Sequence, residues 1–208
     1  FVYTLIWLIA APLVVVRLAW RGRRQPEYRQ HLAERLGRYG AVAAGAPWLW
    51  LHAVSVGETR AAEPLVRAML AQWPTQRLLF TVMTPTGRVT ATQLFASEIA
   101  AGRLRVVYLP YDAPPLVRRF LGRFAPHCGV IMETELWPGL LDAAARAGVP
   151  MVLVNARLSA RSARGYARFG SLTRTMLASL AAVAAQDEAD AARLAELGAP
   201  APTVTGNI

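Results

Sequence analysis

Short apolar runs alternate with helix-like segments from Trp48 to the end of the chain, and this alternation constrains the fold more than any other feature. The run Cys128–Met132 is continuously apolar, which is typical of a strand buried on both faces of a parallel sheet. Repeated strand–helix units with short connections predict an α/β fold, a Rossmann-like, doubly wound parallel sheet. The predicted strands are Trp48–Val54, Leu78–Met83, Leu104–Leu109, Cys128–Met132, Met151–Val154, Ala181–Ala185 and Thr203–Thr205.

Helices are predicted between these strands. Thr-Pro-Thr-Gly at 84–87 precedes the second of them, and an arginine-rich sequence after Ser159 predicts one long helix. The other predicted helices are Thr59–Gln72, one that ends near Ala96, one through Phe124, Trp137–Arg146 and Glu188–Leu197.

The beginning of the chain is apolar and is followed by a cluster of arginines. Residues 1–16 are apolar apart from Thr4, residues 18–20 continue the run after Arg17, and three basic residues follow, namely Arg21, Arg23 and Arg24. This pattern predicts a membrane anchor with a basic flank over residues 1–24. The anchor is either a full span near the lower length limit or a helix embedded in one leaflet. A buried core helix is the alternative.

Basic residues dominate the charge, with 23 Lys+Arg against 13 Asp+Glu and a formal net charge of +10. Seven arginines between Arg17 and Arg38, against Glu27 and Glu34, indicate that this segment lies on the cytoplasmic side, against anionic headgroups. The charge predicts an anionic partner, either acidic lipid, a phosphorylated substrate or nucleic acid. The alternative is a solvated surface whose arginines reflect high-GC codon usage. Nucleic acid is disfavoured because the arginines lie beside an apolar segment and no recognised nucleic-acid-binding motif accompanies them.

Two residue types limit the chemistry. All the basic residues are arginine, so a Schiff-base lysine and a phosphate-loop lysine are excluded within the chain. Cys128 is the only cysteine and can form neither an internal disulfide nor a multi-cysteine zinc site. No other metal-binding signature occurs in the sequence, and we expect no metal.

Two acidic segments stand where an apolar strand gives way to a helix: Ser-Val-Gly-Glu at 55–58 and Glu-Thr-Glu-Leu-Trp-Pro at 133–138. In the usual Rossmann strand order, the first and fourth strands are neighbours whose connections run to opposite faces, which opens a crevice at their carboxyl ends. We therefore expect Glu58 and Glu133 to face one crevice. Gly57 is expected to let the backbone turn tightly and a ligand approach it.

Each glutamate also has an interpretation without chemistry. Glu58 and Glu135 fall near predicted helix starts, where a carboxylate complements the helix dipole or caps the helix. Two glutamates in one predicted crevice favour a functional role for the pair. His52, on the strand before the first acidic segment, is interpreted as a hydrogen-bonded core residue and not as a catalyst.

The order of several motifs resembles the N-terminal half of the bacterial Kdo transferase family, which transfers 3-deoxy-D-manno-octulosonic acid (Kdo) to the lipid A precursor. The resemblance implies a GT-B architecture, in which the first of two Rossmann-like domains binds the acceptor and the second mainly binds the cytidine nucleotide. The motifs are Ser-Val-Gly-Glu at 55–58, Thr-Pro-Thr-Gly at 84–87, Tyr-Leu-Pro-Tyr-Asp at 108–112, Met-Glu-Thr-Glu-Leu-Trp-Pro at 132–138, Asn-Ala-Arg-Leu-Ser-Ala-Arg-Ser at 155–162 and Thr-Gly-Asn at 205–207.

The resemblance also implies a mechanism and roles for residues. A hydroxyl of the phosphorylated glucosamine disaccharide attacks the anomeric carbon of CMP-Kdo with inversion, and no cofactor is required beyond this donor. Glu58 is then the general base, kept ionised by a helix N-terminus and nearby arginines, and Glu133 stabilises the transition state. The expected substrate-binding residues are Ser55, Gly57, Glu135, Arg157 and Arg161, and Arg164 is a further arginine suited to phosphate or carboxylate. The alternative for these three arginines is a helix face that contacts solvent or lipid headgroups.

The sequence begins without methionine and stops at Ile208, where the family continues, so we expect a fragment. It would comprise the anchor and basic flank at 1–24, a connecting basic helix and loop at 25–47 and the acceptor domain at 48–208, without the C-terminal donor domain. The fragment alone is expected to be inactive, and the protein to lie on the cytoplasmic face of the bacterial inner membrane. Two other functions stay open: a GT-B glycosyltransferase with another sugar nucleotide, and a non-catalytic, membrane-associated lipid-binding domain.

Overall fold

One parallel sheet organises the protein. The structure is a computed structural model and describes residues 2–42, 45 and 47–208. Over these residues the strands are β1 Trp48–His52, β2 Arg77–Val82, β3 Leu104–Tyr108, β4 Cys128–Met132, β5 Met151–Ala156, β6 Ala182–Ala185 and β7 Thr203–Val204. They join in the order β3-β2-β1-β4-β5-β6-β7, and every pairing is parallel. The predicted parallel α/β sheet is therefore confirmed, including the central pairing of β1 with β4.

Helices connect the strands, and each predicted helix is present. They are α1 Val2–Arg24, α2 Leu32–Arg35, α3 Val56–Ala61, α4 Glu63–Gln72, α5 Pro85–Leu94, α6 Ala96–Ala100, α7 Pro114–Phe124, α8 Pro138–Arg146, α9 Ala160–Ala167, α10 Gly170–Ala178 and α11 Glu188–Glu196, with a 3₁₀ helix at Pro26–Arg29. The predictions of single helices at Thr59–Gln72 and after Ser159 are wrong, because each divides in two. Pro64 explains the first division, since it has no N–H to donate to the Arg60 carbonyl.

Two apolar cores cover the two faces of the sheet. Alternation along β1 sends Trp50 to one face and Leu51 to the other, and both side chains are fully buried. Trp50 packs against Phe120 of α7, with ring centroids 4.9 Å apart. On the opposite face, Leu51 shares a core with Phe80 of β2 and the helices that follow β1 and β2.

None of the described side chains of the N-terminal helix α1 belongs to either core. The exposed fractions of Leu13, Val16 and Trp20 are 71%, 65% and 51%, so the alternative of a buried core helix is wrong for this part of α1. Among the residues that the structure describes, no helix combines the length and apolar character needed to cross a membrane. Residue 1 of the predicted anchor and residues 43, 44 and 46 of the predicted connecting segment lie outside the described residues.

Glu34 connects the segment between α1 and β1 to the sheet through a hydrogen bond and an ion pair. Its Oε2 atom accepts a 2.8 Å hydrogen bond from the backbone N–H of Tyr108 at the end of β3. The same carboxylate forms an ion pair with Arg88 of α5, at a distance of 2.5 Å. This part of the chain therefore packs against the carboxyl ends of the strands, where the candidate site lies.

His52 is a buried core residue, as the sequence indicated. Its Nδ1 atom lies 2.9 Å from Thr81 Oγ1 and 3.1 Å from the Thr81 carbonyl oxygen. Burial lowers the pKa of His52 to about 4, although the backbone contact with Thr81 opposes the shift. The imidazole is therefore neutral in the folded protein at neutral pH.

We expect His52 to make folding sensitive to acid. The unfolded chain protonates this histidine below its ordinary pKa of 6.5, whereas the folded chain resists protonation until pH 4 is approached. Stability is therefore lost as pH falls through this window, by up to about 3 kcal/mol from this group. Urea unfolding between pH 7 and pH 4 should show a shallower acid slope for His52→Gln than for wild type. The exposed His127→Gln variant should keep the wild-type slope, and an unchanged slope in His52→Gln would contradict the prediction.

Candidate active site

Glu58 is held at the start of α3 by a reciprocal capping arrangement. Ser55 is the N-cap residue, and its hydroxyl oxygen accepts a hydrogen bond from the Glu58 N–H. The Glu58 carboxylate reaches back: Oε1 accepts from the Ser55 hydroxyl at 2.8 Å, and Oε2 accepts from the Val54 N–H at 2.7 Å. The spacing Ser-x-x-Glu permits this arrangement because the third residue of a helix folds back over its cap. The helix-capping interpretation of Glu58 is therefore confirmed.

The same carboxylate has an unusual electrostatic environment. Glu58 is only 7% exposed. Its pKa is raised chiefly by this burial, against the lowering effect of the hydrogen bonds from Val54 and Ser55, and the charges of Glu135 and Glu133 raise it further. The expectation that a helix N-terminus and nearby arginines keep Glu58 ionised is wrong as the dominant effect, because burial raises the pKa and so favours the neutral form. The result is a carboxylate that binds a proton more readily than an ordinary glutamate.

Glu133 follows directly after β4, and the chain changes direction there. Its backbone lies in the left-handed region, with φ of 56°, which a residue with a side chain rarely adopts. Its N–H donates a 2.9 Å hydrogen bond to the Val154 carbonyl, so the ladder with β5 extends to this residue. The Glu133 side chain is half-buried beyond the end of the strand.

Glu135 is oriented by Trp137 and does not cap the next helix. Its Oε2 atom accepts a 3.0 Å hydrogen bond from the indole N–H of Trp137. The indole ring itself lies across His52, with ring centroids 5.8 Å apart and an angle of 79° between the planes. No role for Trp137 follows from the sequence, because the orientation of its indole depends on a contact with His52, which lies on β1.

The cap of α8 comes instead from Asp112, which sequence analysis did not single out. Asp112 Oδ2 accepts a 2.9 Å hydrogen bond from the Gly139 N–H in the first turn of α8. A Cβ atom on Gly139 would lie 2.7 Å from the Asp112 carbonyl oxygen, so glycine is required for this approach. The helix-capping interpretation of Glu135 is therefore wrong, and its carboxylate is available to the crevice.

Gly57 is the second residue of α3, next to Glu58. The expectation of a tight turn at Gly57 is wrong, because the residue has ordinary helical backbone. A Cβ atom there would meet only the Ser55 hydroxyl oxygen, at 3.9 Å. The exposed backbone of Gly57 therefore offers an open surface beside the Glu58 carboxylate.

The predicted arginines stand on the neighbouring strand connection. The Thr134 hydroxyl donates a hydrogen bond to the Arg157 carbonyl, which joins the segment after β4 to the segment after β5. The side chains of Arg157, Arg161 and Arg164 are exposed. The structure therefore brings Ser55, Glu58, Glu133 and Glu135 into one electrostatic group and leaves these guanidinium groups at its solvent side.

Glu58, a buried carboxylate with a raised pKa, thus lies close to two further carboxylates, Glu133 and Glu135, beyond the ends of two neighbouring strands. Within the described part of the chain, no group of three or more His, Cys, Asp or Glu side chains is arranged to hold a metal ion. A carboxylate with a raised pKa beside an open backbone surface can accept a proton from a bound hydroxyl group.

Comparison with known proteins decides the family. The profile described as "3-Deoxy-D-manno-octulosonic-acid transferase (kdotransferase)" matches residues 30–208. The chain belongs to the Kdo transferase family. The resemblance that the motifs indicated is therefore confirmed.

Relatives within the Kdo transferase family match the whole of this chain. A 3-deoxy-D-manno-octulosonic acid transferase of Bordetella pertussis is 47% identical over 210 residues, which cover 100% of this chain and 49% of the relative. The enzyme of the same name from Haemophilus influenzae is 39% identical over 211 residues, with 100% and 48% covered. The chain thus spans about half the length of the curated relatives it matches.

Solved structures show the fold that this Kdo transferase chain shares with other proteins. A UDP-N-acetylglucosamine 2-epimerase superposes with a TM-score of 0.55 at 15% identity, covering 78% of this chain and 48% of the epimerase. A UDP-GlcNAc 2-epimerase from Neisseria meningitidis superposes with a TM-score of 0.53 at 15% identity, covering 77% and 47%. At this identity the similarity concerns the fold alone, which is the α/β, GT-B-like arrangement.

We predict that Glu135 contributes to the high pKa of Glu58. Replacing Glu135 with glutamine removes a negative charge that opposes ionisation of Glu58, so the pKa of Glu58 should fall. The measurement is a titration of the Glu58 side-chain carboxyl carbon by NMR in wild type and Glu135→Gln. Glu196→Gln, an exposed change on α11, is the matched control and should leave the titration unchanged. A Glu58 titration identical in wild type and Glu135→Gln would contradict the coupling.

Proposed function

We propose that the protein transfers Kdo from CMP-Kdo to the lipid A precursor in lipopolysaccharide biosynthesis, with inversion at the anomeric carbon. The observation that carries this proposal is the buried Glu58 carboxylate, which lies where β1 ends beside β4 and has a raised pKa. The relatives at 47% and 39% identity are named as transferases of this sugar.

Glu58 is the general base in this proposal. An acceptor hydroxyl group lies against its carboxylate and loses its proton to it as the oxygen attacks the anomeric carbon. Each carboxylate oxygen accepts one hydrogen bond from the protein and keeps a second acceptor position for the substrate. A base is most effective when its pKa lies near the working pH, so the burial that raises the pKa of Glu58 favours this role.

Glu133 and Glu135 have separate roles. As CMP leaves, positive charge develops at the anomeric carbon, and Glu133 stabilises it from the end of β4. Glu135, held by the Trp137 indole, helps to keep the pKa of Glu58 high and contacts the substrate. Glu133 thus stabilises the transition state, and Glu135 favours proton transfer to Glu58.

The remaining contacts concern binding. Ser55 holds Glu58 in place, and the open backbone of Gly57 lies against a substrate. Arg157 and Arg161 bind acceptor phosphates or the Kdo carboxylate, for which a guanidinium group offers two parallel hydrogen bonds. The donor nucleotide binds mainly to a second Rossmann-like domain, which we assign to the half of the relatives that this chain does not match.

We place the protein at the cytoplasmic face of the bacterial inner membrane. The exposed apolar side chains of Leu13, Val16 and Trp20 lie on the helix that also carries Arg23 and Arg24. A helix with these two types of side chain suits the boundary between acyl chains and anionic headgroups.

The general base is tested by Glu58→Gln in the complete protein that contains this chain. We expect the rate of Kdo transfer from CMP-Kdo to tetra-acylated lipid A precursor to fall about 10²- to 10⁴-fold, the usual contribution of a positioned base. Glutamine keeps the shape and most of the hydrogen bonds, so circular dichroism and thermal melting should show a folded variant. Glu63→Gln, a more exposed change on α4, should keep full activity. Full activity of Glu58→Gln would remove the base assignment.

Gly57 offers a test in which stability and activity should change in opposite directions. Alanine is favoured over glycine by about 1 kcal/mol in a helix interior and by less in the first turn, where Gly57 lies, so Gly57→Ala should raise the melting temperature slightly. The added methyl group occupies the surface on which the substrate packs, and kcat/KM should fall more than about tenfold. Gly165→Ala on the exposed face of α9, where an added Cβ meets nothing, is the control. Unchanged kcat/KM in Gly57→Ala would show that no substrate contacts this backbone.

A further inference from the structure

A cavity of about 270 Å³ lies between α1 and the carboxyl edge of the sheet. Three arginines line it: Arg17 and Arg21 from α1, and Arg35 from α2. The apolar side chains of Val14 and Leu18 on α1 form part of the same wall. The cavity is therefore strongly cationic on some sides and apolar on another.

Arg35 is the unusual member of this group because it is almost fully buried. It is 3% exposed, and its guanidinium carbon lies 3.9 Å from the centroid of the Tyr108 ring. Its Nη2 atom donates a 3.1 Å hydrogen bond to the Met83 carbonyl, but its buried Nε has no hydrogen-bond partner in the described part of the chain. A guanidinium group cannot lose its proton at any ordinary pH, so this is a permanent buried cation.

No carboxylate in the described residues compensates this charge. The ion pairs found there do not include Arg17, Arg21 or Arg35. The neighbouring Glu34 is already paired with Arg88 and accepts the Tyr108 N–H. The rings of Tyr28 and Tyr108 and the Met83 carbonyl contact the guanidinium group, but none of them neutralises its charge. Burying a cation without an ion-pair partner is costly, so an anion in this cavity would be favoured.

The cavity also adjoins the proposed base. Val54 lines it, and the N–H of the same residue donates the 2.7 Å hydrogen bond to Glu58 Oε2. Thr84 lines the cavity as well, and its hydroxyl contacts the Val54 carbonyl at 3.3 Å. The cavity that the three arginines line thus shares Val54 with the Glu58 site.

We propose that this cavity binds a phosphate monoester of the acceptor lipid and so places an acceptor hydroxyl group at Glu58. A phosphate matches the forked guanidinium donors and neutralises the buried cation. The volume is below the range of about 300–1,000 Å³ typical of sites for whole ligands, so the cavity suits a headgroup, with the apolar part of the lipid along Val14 and Leu18. This inference rests on the proposed function, because the acceptor is taken from it.

The test is a binding measurement without donor, on the complete protein in neutral detergent micelles. The probe is the diphosphorylated, tetra-acylated glucosamine disaccharide, compared with the same lipid after enzymatic removal of its phosphates. We expect Arg17→Gln and Arg21→Gln each to weaken binding of the phosphorylated lipid about tenfold. Binding of the dephosphorylated lipid, already weak in wild type, should not weaken further in these variants.

Arg23→Gln provides the matched control, because it removes the same charge from the same helix outside the cavity. Its effect on binding should be less than twofold. Equal losses in Arg23→Gln and the two cavity variants would overturn the proposal in favour of general electrostatic attraction. Arg35→Gln should give the largest loss if it folds. If it does not fold, the Arg17 and Arg21 variants, whose side chains are exposed, still decide the question.

Two further arms separate the source of the phosphate and the fate of the proposed function. Inorganic phosphate should compete with the lipid only weakly. The acceptor assignment would be overturned if free phosphate bound tightly through these arginines while the lipid bound equally well without them. Arginine-dependent lipid binding without any Kdo transfer from CMP-Kdo would support the cavity and refute the proposed function. Kdo transfer with a KM for the lipid that is unchanged in all cavity variants would support the proposed function and refute the cavity proposal.

Discussion

The parallel pairing of β1 with β4 is the constraint on which the candidate site depends. The register runs from Leu49 opposite Cys128 to His52 opposite Ile131, so the two strands end at the same edge of the sheet. Gly129 permits this packing, because a Cβ there would lie 2.7 Å from the Trp50 ring and closer still to the sulfur of a β5 methionine. A slip of one residue would turn the side chains of β4 to opposite faces and move Glu133 away from Glu58.

Stability and chemistry compete at Glu58. The hydrogen bonds from Val54 and Ser55 stabilise the ionised form and the start of α3, whereas burial and the neighbouring carboxylates favour the neutral form. Burial is the largest of these effects, so the pKa is raised. The carboxylate is therefore rigidly positioned, as a cap requires, and still basic, as a proton acceptor requires. A solvent-exposed capping carboxylate would be rigidly positioned but would not have a raised pKa.

The sequence was sufficient to predict features that depend on local pattern, and insufficient for those that depend on distant contacts. Apolar runs located each strand to within a few residues, and strand order then brought Glu58 and Glu133 to one edge. The link between Glu135 and Trp137 requires an indole fixed against another strand, and the cap of α8 comes from Asp112 after β3. In the sequence Arg35 is one of several arginines that follow the apolar segment, and only the structure shows that it is buried against the ring of Tyr108.

Glu58 and Arg35 are both buried and ionisable, but they respond differently to pH. Glu58 can become neutral, so the proposed general-base activity would be lost as pH falls through its raised pKa. Arg35 keeps its charge, so affinity for a phosphate monoester should persist at full strength until the phosphate dianion takes up a proton and becomes a monoanion, near pH 6 in phosphorylated side chains. Salt should weaken the contributions of the exposed Arg17 and Arg21 more than that of buried Arg35. At this edge of the sheet, a proton can neutralise Glu58, but only a bound anion can neutralise Arg35. Catalysis and acceptor binding should therefore depend on pH in different ways.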